Sequence, residues 1–486
     1  VINAVVSDYV DTVSREKLVE MALNGMLQSL DPHSYYISAD DYADANDVLQ
    51  GSFDGIGIQF RVQRDTITVI NTISGGPSEK VGIRPGDRIV KIDGNNVAGV
   101  KITDDDVLKK LKGKRGTRVI VSVFRRGISD LLEFTIIRDA IPTYSVDAAY
   151  MITSDVGFLR VSKFSATTHE EMINELSKLK KQGMRKLILD LRGNGGGYLD
   201  AAVKMSSELL PHAKPIVYTQ GKSRKPEYFS TNGSGSFSRG ALVVLIDEWS
   251  ASASEIVAGA VQDNDRGVIV GRRSFGKGLV QAQLQLGDGS AVRLTVARYY
   301  TPSGRCIQKP YYNGTEQYYS DFYNNLLKNA GENIDSLNIH DSLKYKTTAG
   351  RIVYGGGGIM PDFIIPVERD SSLIWYHEAN NLGHIFQFSF DLTDKYRNQL
   401  SLFANVAEFD NNFTVTDQMY KEFILYSIRN GALKAGSDNL DSKRRICELI
   451  KAYVARNVFG DKGFYPIINR NDKTVIKALE LIKVMN

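Results

Sequence analysis

Residues 241–263 read ALVVLIDEWSASASEIVAGAVQD. The apolar run that ends at Asp247 has the form of a strand buried on both faces, and the last ten residues read as a helix. A short turn between them carries three serines, Ser250, Ser252 and Ser254. A strand that feeds a helix through a tight turn is the arrangement by which a nucleophile elbow exposes its serine. The ordinary alternative is a capping box, Ser252-x-x-Glu255, in which Ser252 only holds an amide of the first helical turn. Ala251 and Ala253 on either side of Ser252 leave room for a substrate backbone, and amides at a helix start stabilise a developing oxyanion. On these grounds alone the three serines stay in competition.

A serine nucleophile needs a base. The six histidines, His33, His169, His212, His340, His377 and His384, fall in no arrangement that resembles a triad partner. Lys277 is the obvious substitute, and it lies in GRRSFGKGLVQ, residues 271–281, a stretch open to three chemistries. A phosphate loop would use Gly271, Gly276 and Lys277, but it needs Ser or Thr next and then a helix. Gly278 stands there instead, and LVQAQLQL alternates with the period of a strand. A penicillin-recognising S-x-x-K would use Ser274 and Lys277 with S-D-N and K-T-G elsewhere. An SDN does occur at residues 437–439, among helices of the tail, and there is no K-T-G. What remains is Lys277 as a general base, which requires burial to lower its pKa by several units. The apolar GVIVG just before it suits burial, although a lone lysine between glycines is ordinarily an exposed turn residue. A second glycine-rich turn, DLRGNGGG, closes the strand Lys186 to Leu191, where Gly195, Gly196 and Gly197 let amides point inward as a nest.

Around these motifs the chain reads as several domains, since 486 residues exceed one compact core. Residues 1–50 form a helical segment stopped at Asp31-Pro32. Residues 51–141 form a small β-rich module, in which DDDVLKKLKG is a short helix with Asp104 to Asp106 at its positive end. From about Tyr144 strands and helices alternate as in a layered α/β core that extends to 368, with a polar, Tyr-rich excursion at about 308–347. Residues 369–486 read as a separate helical domain with a structural or partner-binding role, which leaves an adaptor and self-association both open. A net charge of +4 from 60 basic and 56 acidic residues argues against nucleic acid as the main partner. Cys306 and Cys447 define neither a disulfide framework nor a metal site. No apolar run reaches transmembrane length, and the first residues lack the marks of an export signal.

Taken together, SASASEIVAGAVQD, GRRSFGKGLVQ and LDLRGNGGGYLDAAV resemble the three core motifs of the C-terminal (tail-specific) processing serine peptidases, which use a Ser-Lys dyad. LDPHSYY, GIGIQF and GIRPGDRIVKIDG resemble that family's N-terminal and PDZ segments. The resemblance covers about residues 1 to 368, with the motifs in family order. It implies a multidomain α+β protein whose layered core is of the crotonase or Clp-protease kind, with an inserted PDZ domain. Carried over residue by residue, it implies Ser252 as nucleophile, Lys277 as base and Gln281 as its orienting partner. It also implies oxyanion amides from Ala253 and from Gly196 or Gly197. The PDZ loop Gly55, Ile56, Gly57 and Ile58 would take the terminal carboxylate of an unstructured, apolar C-terminus added as a strand. Gly195 stands where many members have proline. The implied enzyme needs no cofactor, metal or nucleotide and works in the bacterial periplasm or envelope, its signal trimmed. The alternative is a catalytically silent PDZ scaffold. One tension remains: along a straight strand Lys277 and Gln281 would stand roughly 13 Å apart.

Overall fold

The computed structural model describes residues 1–233, 235–328, 341–368, 370–432 and 439–485. His340, the middle of the polar excursion and the first two residues of the SDN tripeptide lie outside the described residues. The chain divides into two compact units, one of Val1–Gly51, Tyr144–Glu368 and Lys473–Asn486, the other of Ser52–Thr143 and Arg369–Asp472.

The first unit is built on a six-stranded sheet. Its order is Val146–Met151, Val156–Val161, Lys186–Asp190, Leu242–Ile246, Val268–Gly271 and Phe363–Ile364, with the first pair antiparallel and the rest parallel. Every residue of the central strand Leu242–Ile246 is buried, because both faces of the sheet are covered. Leu242, Val244 and Ile246 face helices Thr168–Lys181, Leu199–Leu209 and Ala253–Asp263. Ala241, Val243 and Leu245 face the other way, onto Val475, Ala478 and Ile482. This two-sided burial is the reason the strand reads as a continuous apolar run rather than an alternating one.

The covering of that second face corrects one expectation. Residues 369–486 do not stay together as one helical domain, since the helix Lys473–Val484 packs on the core sheet. Its apolar stripe covers strand residues that would otherwise meet water, and Lys186 Nζ donates to the carbonyls of Ile482 (2.9 Å) and Met485 (3.1 Å) at its C-terminal end.

A second sheet in the same unit joins Tyr35–Ile37, Ala291–Tyr300, Pro215–Gln220 and Glu227–Ser230, with Leu279–Gln285 also paired to Ala291–Tyr300. The N-terminal segment is therefore not wholly helical: after helix Arg15–Gln28 it contributes an edge strand. Asp31 shapes the turn between them, its carboxylate accepting from the amides of His33 (2.8 Å) and Ser34 (2.9 Å).

In the second unit, five antiparallel strands run in the order Ile58–Gln63, Thr66–Thr72, Arg88–Ile92, Arg118–Phe124 and Leu132–Ile137. Two helices accompany them, Pro77–Val81 and Asp104–Leu111, the second closed by a capping box between Thr103 and Asp106. Helices between Ile374 and Ile468 form the helical part of this unit around Trp375, Phe409, Phe423 and Ile450. The helix His384–Lys395 meets the strand Ile58–Gln63 and the turn after it. Gln387 Nε2 donates to Gln63 (3.0 Å), Asp391 pairs with Arg64 (3.2 Å), and the Arg61 guanidinium lies 4.4 Å from the Phe386 ring centre.

Candidate active site

The turn after strand Leu242–Ile246 sorts the three serines. Ser250 is fully buried, with its hydroxyl donating to the Leu191 carbonyl (2.9 Å) and accepting from the Asp247 amide (3.0 Å). Ser254 is also fully buried, with its hydroxyl given to the Asn194 carbonyl (2.8 Å). Ser252 alone is partly exposed and stands at φ 55°, ψ −112°, a backbone region that costs a non-glycine residue on the order of 1–3 kcal/mol. The capping box works mainly in reverse: the Ser252 N–H donates to Glu255 Oε2 (2.8 Å), while the Glu255 N–H goes to the Ser252 carbonyl (2.9 Å).

The DLRGNGGG turn closes directly on this serine. A Cβ on Gly196 would stand 2.8 Å from Ser252 Cβ and 3.0 Å from the Ala253 nitrogen, so only glycine permits the approach. Asn194 ties the two turns, since its carbonyl accepts from the Ala251 amide (3.0 Å) and its side-chain oxygen accepts the Gly196 N–H (2.9 Å). Gly197 continues into a bridge with Phe164.

Strand Val268–Gly271 leads into a loop and then strand Leu279–Gln285, with no helix where a phosphate loop would need one. Ser274 is a structural group: its hydroxyl donates to Glu255 Oε1 and accepts from the Ile359 amide, both at 2.6 Å. Glu255 is the fully buried hub of this loop. Oε1 also accepts from the Gly276 amide (2.8 Å), and Oε2 from the amides of both Lys277 (2.9 Å) and Ser252 (2.8 Å). The backbones of Ser252 and Lys277 thus meet on one carboxylate oxygen. Burial pushes the Glu255 carboxyl up to about 7, and the four donors around it oppose that push by favouring the ionised form. The Tyr299 hydroxyl donates to the Lys277 carbonyl (2.6 Å) and stands 3.2 Å from that of Ser252, tying the two segments a second time.

Lys277 Nζ donates to Gln281 Oε1 at 3.1 Å. The 13 Å tension disappears because the strand proper begins only at Leu279, which leaves Lys277 in the loop before it; the register shift beside Gln281 falls on the partner strand, where Val296 is skipped. The Gln281 amide in turn donates to the His33 carbonyl. Burial, with a smaller contribution from the nearby Arg293 charge, lowers the Lys277 pKa from 10.5 to about 8. His33 is likewise depressed, to about 4, by burial and then by the Lys277 charge.

Of the six residues expected at the site, the fold sets Gly196 against Ser252 and Ala253, joins the Ser252 and Lys277 amides on one Glu255 oxygen and puts Gln281 on the Lys277 amine, while Gly197 follows Gly196 into the bridge with Phe164. Sequence reasoning gave Glu255 no role beyond capping and missed Asn194, Tyr299 and His33. The signal for Glu255 was its very position: a carboxylate in the first turn of an otherwise apolar, buried helix needs donors from elsewhere.

The PDZ loop residues lie in the second unit. Gly55 ends the strand Ser52–Gly55, which pairs with Asp139–Pro142. Ile56 is buried and Gly57 adopts φ 74°. The Ile56 carbonyl accepts from the Ser78 amide (3.0 Å) and hydroxyl (2.6 Å), and the Gly57 carbonyl from the Ile73 amide (3.0 Å). Ile58 opens the edge strand Ile58–Gln63, whose only pairing among the described strands is with Thr66–Thr72. Among the described residues no group of His, Cys, Asp and Glu could hold a metal ion, and no helix is long and apolar enough to cross a membrane.

Residues 155–317 match the family model described as peptidase family S41, residues 55–136 match a PDZ domain, and residues 375–460 match a family of unknown function. The carboxy-terminal-processing protease of Bartonella bacilliformis is 38% identical over 307 residues, 62% of this chain and 70% of that protein. The carboxy-terminal processing protease CtpA of Bacillus subtilis is 35% identical over 304 residues, 62% of this chain and 64% of its own length. Among solved structures, the photosystem II D1 C-terminal processing protease aligns with 63% of this chain and 88% of its own at 31% identity, with a TM-score of 0.37.

Proposed function

The chain belongs to the carboxy-terminal processing serine peptidases of family S41 and carries a PDZ domain, and from that premise we propose an endopeptidase in which Ser252 is acylated with Lys277 as its base. The observation that carries this reading is the suspension of both residues from one oxygen of Glu255, with the amine of Lys277 held by Gln281.

Neutral Lys277 Nζ takes the Ser252 hydroxyl proton as Oγ bonds to the scissile carbonyl carbon. The charge moves to the carbonyl oxygen, which is met by the Ala253 N–H at the helix start and by a second amide from the glycine turn. Gly197 serves as that second donor, because the Gly196 N–H is already given to Asn194. Gly196 contributes its missing side chain instead. The adduct collapses as Lys277 returns the proton to the departing amine, and a water repeats the sequence to free Ser252.

Substrates are proteins with unstructured, apolar C-termini. The carbonyls of Ile56 and Gly57 are engaged by their own domain, which supports a role for the amides of the Gly55–Ile58 loop in holding a terminal carboxylate. The peptide then adds as a strand beside Ile58–Gln63. We place the protein in the bacterial periplasm or cell envelope.

The test is cleavage of an unfolded protein with an apolar C-terminus across about pH 6 to 9, by the wild type and Ser252→Ala. Wild-type kcat/KM is expected to rise about tenfold per pH unit to a plateau above about 8, as Lys277 loses its proton. The rise steepens below about 7, where Glu255 takes up a proton. Ser252→Ala is expected to be inactive. Equal cleavage by the two proteins would sink the dyad, no cleavage by either would favour a silent scaffold, and a flat profile would remove Lys277 as the base.

A further inference from the structure

The helix Gly314–Lys328 lies in the polar excursion, and all but its first four residues fall beyond the end of the peptidase match at residue 317. One face of it is buried. Tyr318 is 2% exposed and Phe322, one turn on, 7%, whereas Tyr323 is 56% exposed.

The buried pair touches both loops of the dyad. Phe322 packs at 4.8 Å on Phe275, between Ser274 and Gly276 in the base loop, and at 5.2 Å on Trp249, three residues before Ser252. Tyr318 stands edge-on to Phe275 (6.1 Å) and to the His33 ring (5.5 Å, 88°), and its hydroxyl lies 3.2 Å from His33 Nε2. Lys309 fastens Tyr318 from its other side, with Nζ 2.8 Å from its carbonyl and 4.5 Å from its ring centre. His33 is itself held at its amide by Asp31. Three hydrogen bonds, the first two joined through the covalent frame of His33, therefore link the Tyr318 hydroxyl to the His33 ring, the His33 carbonyl to the Gln281 amide, and the Gln281 oxygen to Lys277 Nζ.

We propose that the helix Gly314–Lys328 holds the base of the peptidase in place, and that Tyr318 is a positioning residue acting on Lys277 through His33 and Gln281. The inference rests on the reading of Lys277 as the base and adds a second requirement to it. A neutral imidazole can share a hydrogen with the phenol, and burial beside a lysine keeps His33 neutral at working pH. The aromatic cluster also keeps water from the base loop. Removing the Tyr318 ring lets water in and the Lys277 amine moves back toward its ordinary, higher pKa.

Tyr318→Phe keeps the ring and deletes the hydroxyl, and Tyr318→Ala deletes both. For the first we expect kcat to fall about fivefold at unchanged KM, with no change in thermal midpoint. For the second we expect kcat to fall about 100-fold and the rising limb of the pH profile to move up by about one unit. Tyr323→Ala, on the exposed face, should match the wild type. Wild-type kcat and pH profile in both Tyr318 variants, with Ser252→Ala inactive, would overturn this inference and leave the dyad standing. Undiminished cleavage by Ser252→Ala would instead remove the reading on which it rests. An unfolded Tyr318→Ala leaves the decision to Tyr318→Phe, where an unchanged kcat overturns the proposal and a lowered kcat at unchanged midpoint supports it.

Discussion

Lys277→Met is expected to lower kcat/KM by on the order of 10⁴ while leaving the fold intact. Methionine keeps most of the length and apolar character of the lysine stem but has no amine to accept the serine proton. The same exchange should leave the thermal midpoint at neutral pH unchanged or raise it. The folded-state pKa of about 8 lies below the model value of 10.5, so the folded protein binds this proton less well than the unfolded chain does. The lysine therefore costs stability in full below about pH 8, and the cost fades as pH climbs toward 10.5. Thermal unfolding of the two proteins at about pH 7 and pH 10 checks the sign: any advantage of the variant should shrink at the higher pH. A variant that lost activity only because its midpoint collapsed would mark Lys277 as a structural residue.

Glu255→Leu should be the most damaging exchange for stability and activity together. It strands four buried donors, the amides of Ser252, Gly276 and Lys277 and the hydroxyl of Ser274. At about 1–3 kcal/mol for each unsatisfied group, less whatever the loop recovers by shifting, a loss on the order of 4 kcal/mol is expected. Activity should fall by at least about 10³, because the segments that carry Ser252 and Lys277 lose their common anchor. Glu255→Gln does not fully rescue, since one orientation of the amide sets its NH₂ against the Ser252 and Lys277 amides and the other against the Gly276 amide. Urea unfolding beside steady-state cleavage measures both effects. Near-native stability with near-native activity in the Gln variant would show that the four hydrogen bonds do not organise the site.

What could be read in the sequence was what local pattern encodes. The strand, turn and helix of residues 241–263 are visible because burial on both faces leaves an unbroken apolar run and helix packing leaves its own spacing. The choice among Ser250, Ser252 and Ser254 needed more than pattern. It turns on which hydroxyl the neighbouring carbonyls claim and on one strained backbone position, neither of which spacing reports. The Lys277–Gln281 pair looked geometrically awkward because the estimate took a straight strand between them, whereas the strand begins only at Leu279 and Lys277 stands in the loop before it. Glu255 read as a cap because its four donors come from its own turn and from residues some twenty positions on. The final helix was grouped with its sequence neighbours because its apolar stripe states that it packs but not on what. His33 meets Gln281 through its backbone carbonyl, which any residue type possesses, so that contact carried no signal in the sequence.

Mapping the covalent intermediate tests the central claim most directly. The wild-type protein is mixed with an activated ester of a short apolar peptide, quenched in acid within seconds, digested and analysed by mass spectrometry. Acylation is expected on the peptide that contains Ser252, absent from Ser252→Ala and slowed by orders of magnitude in Lys277→Met. An adduct on Ser274, or one on any other residue that survives Ser252→Ala at wild-type rate, would contradict the assignment of the nucleophile.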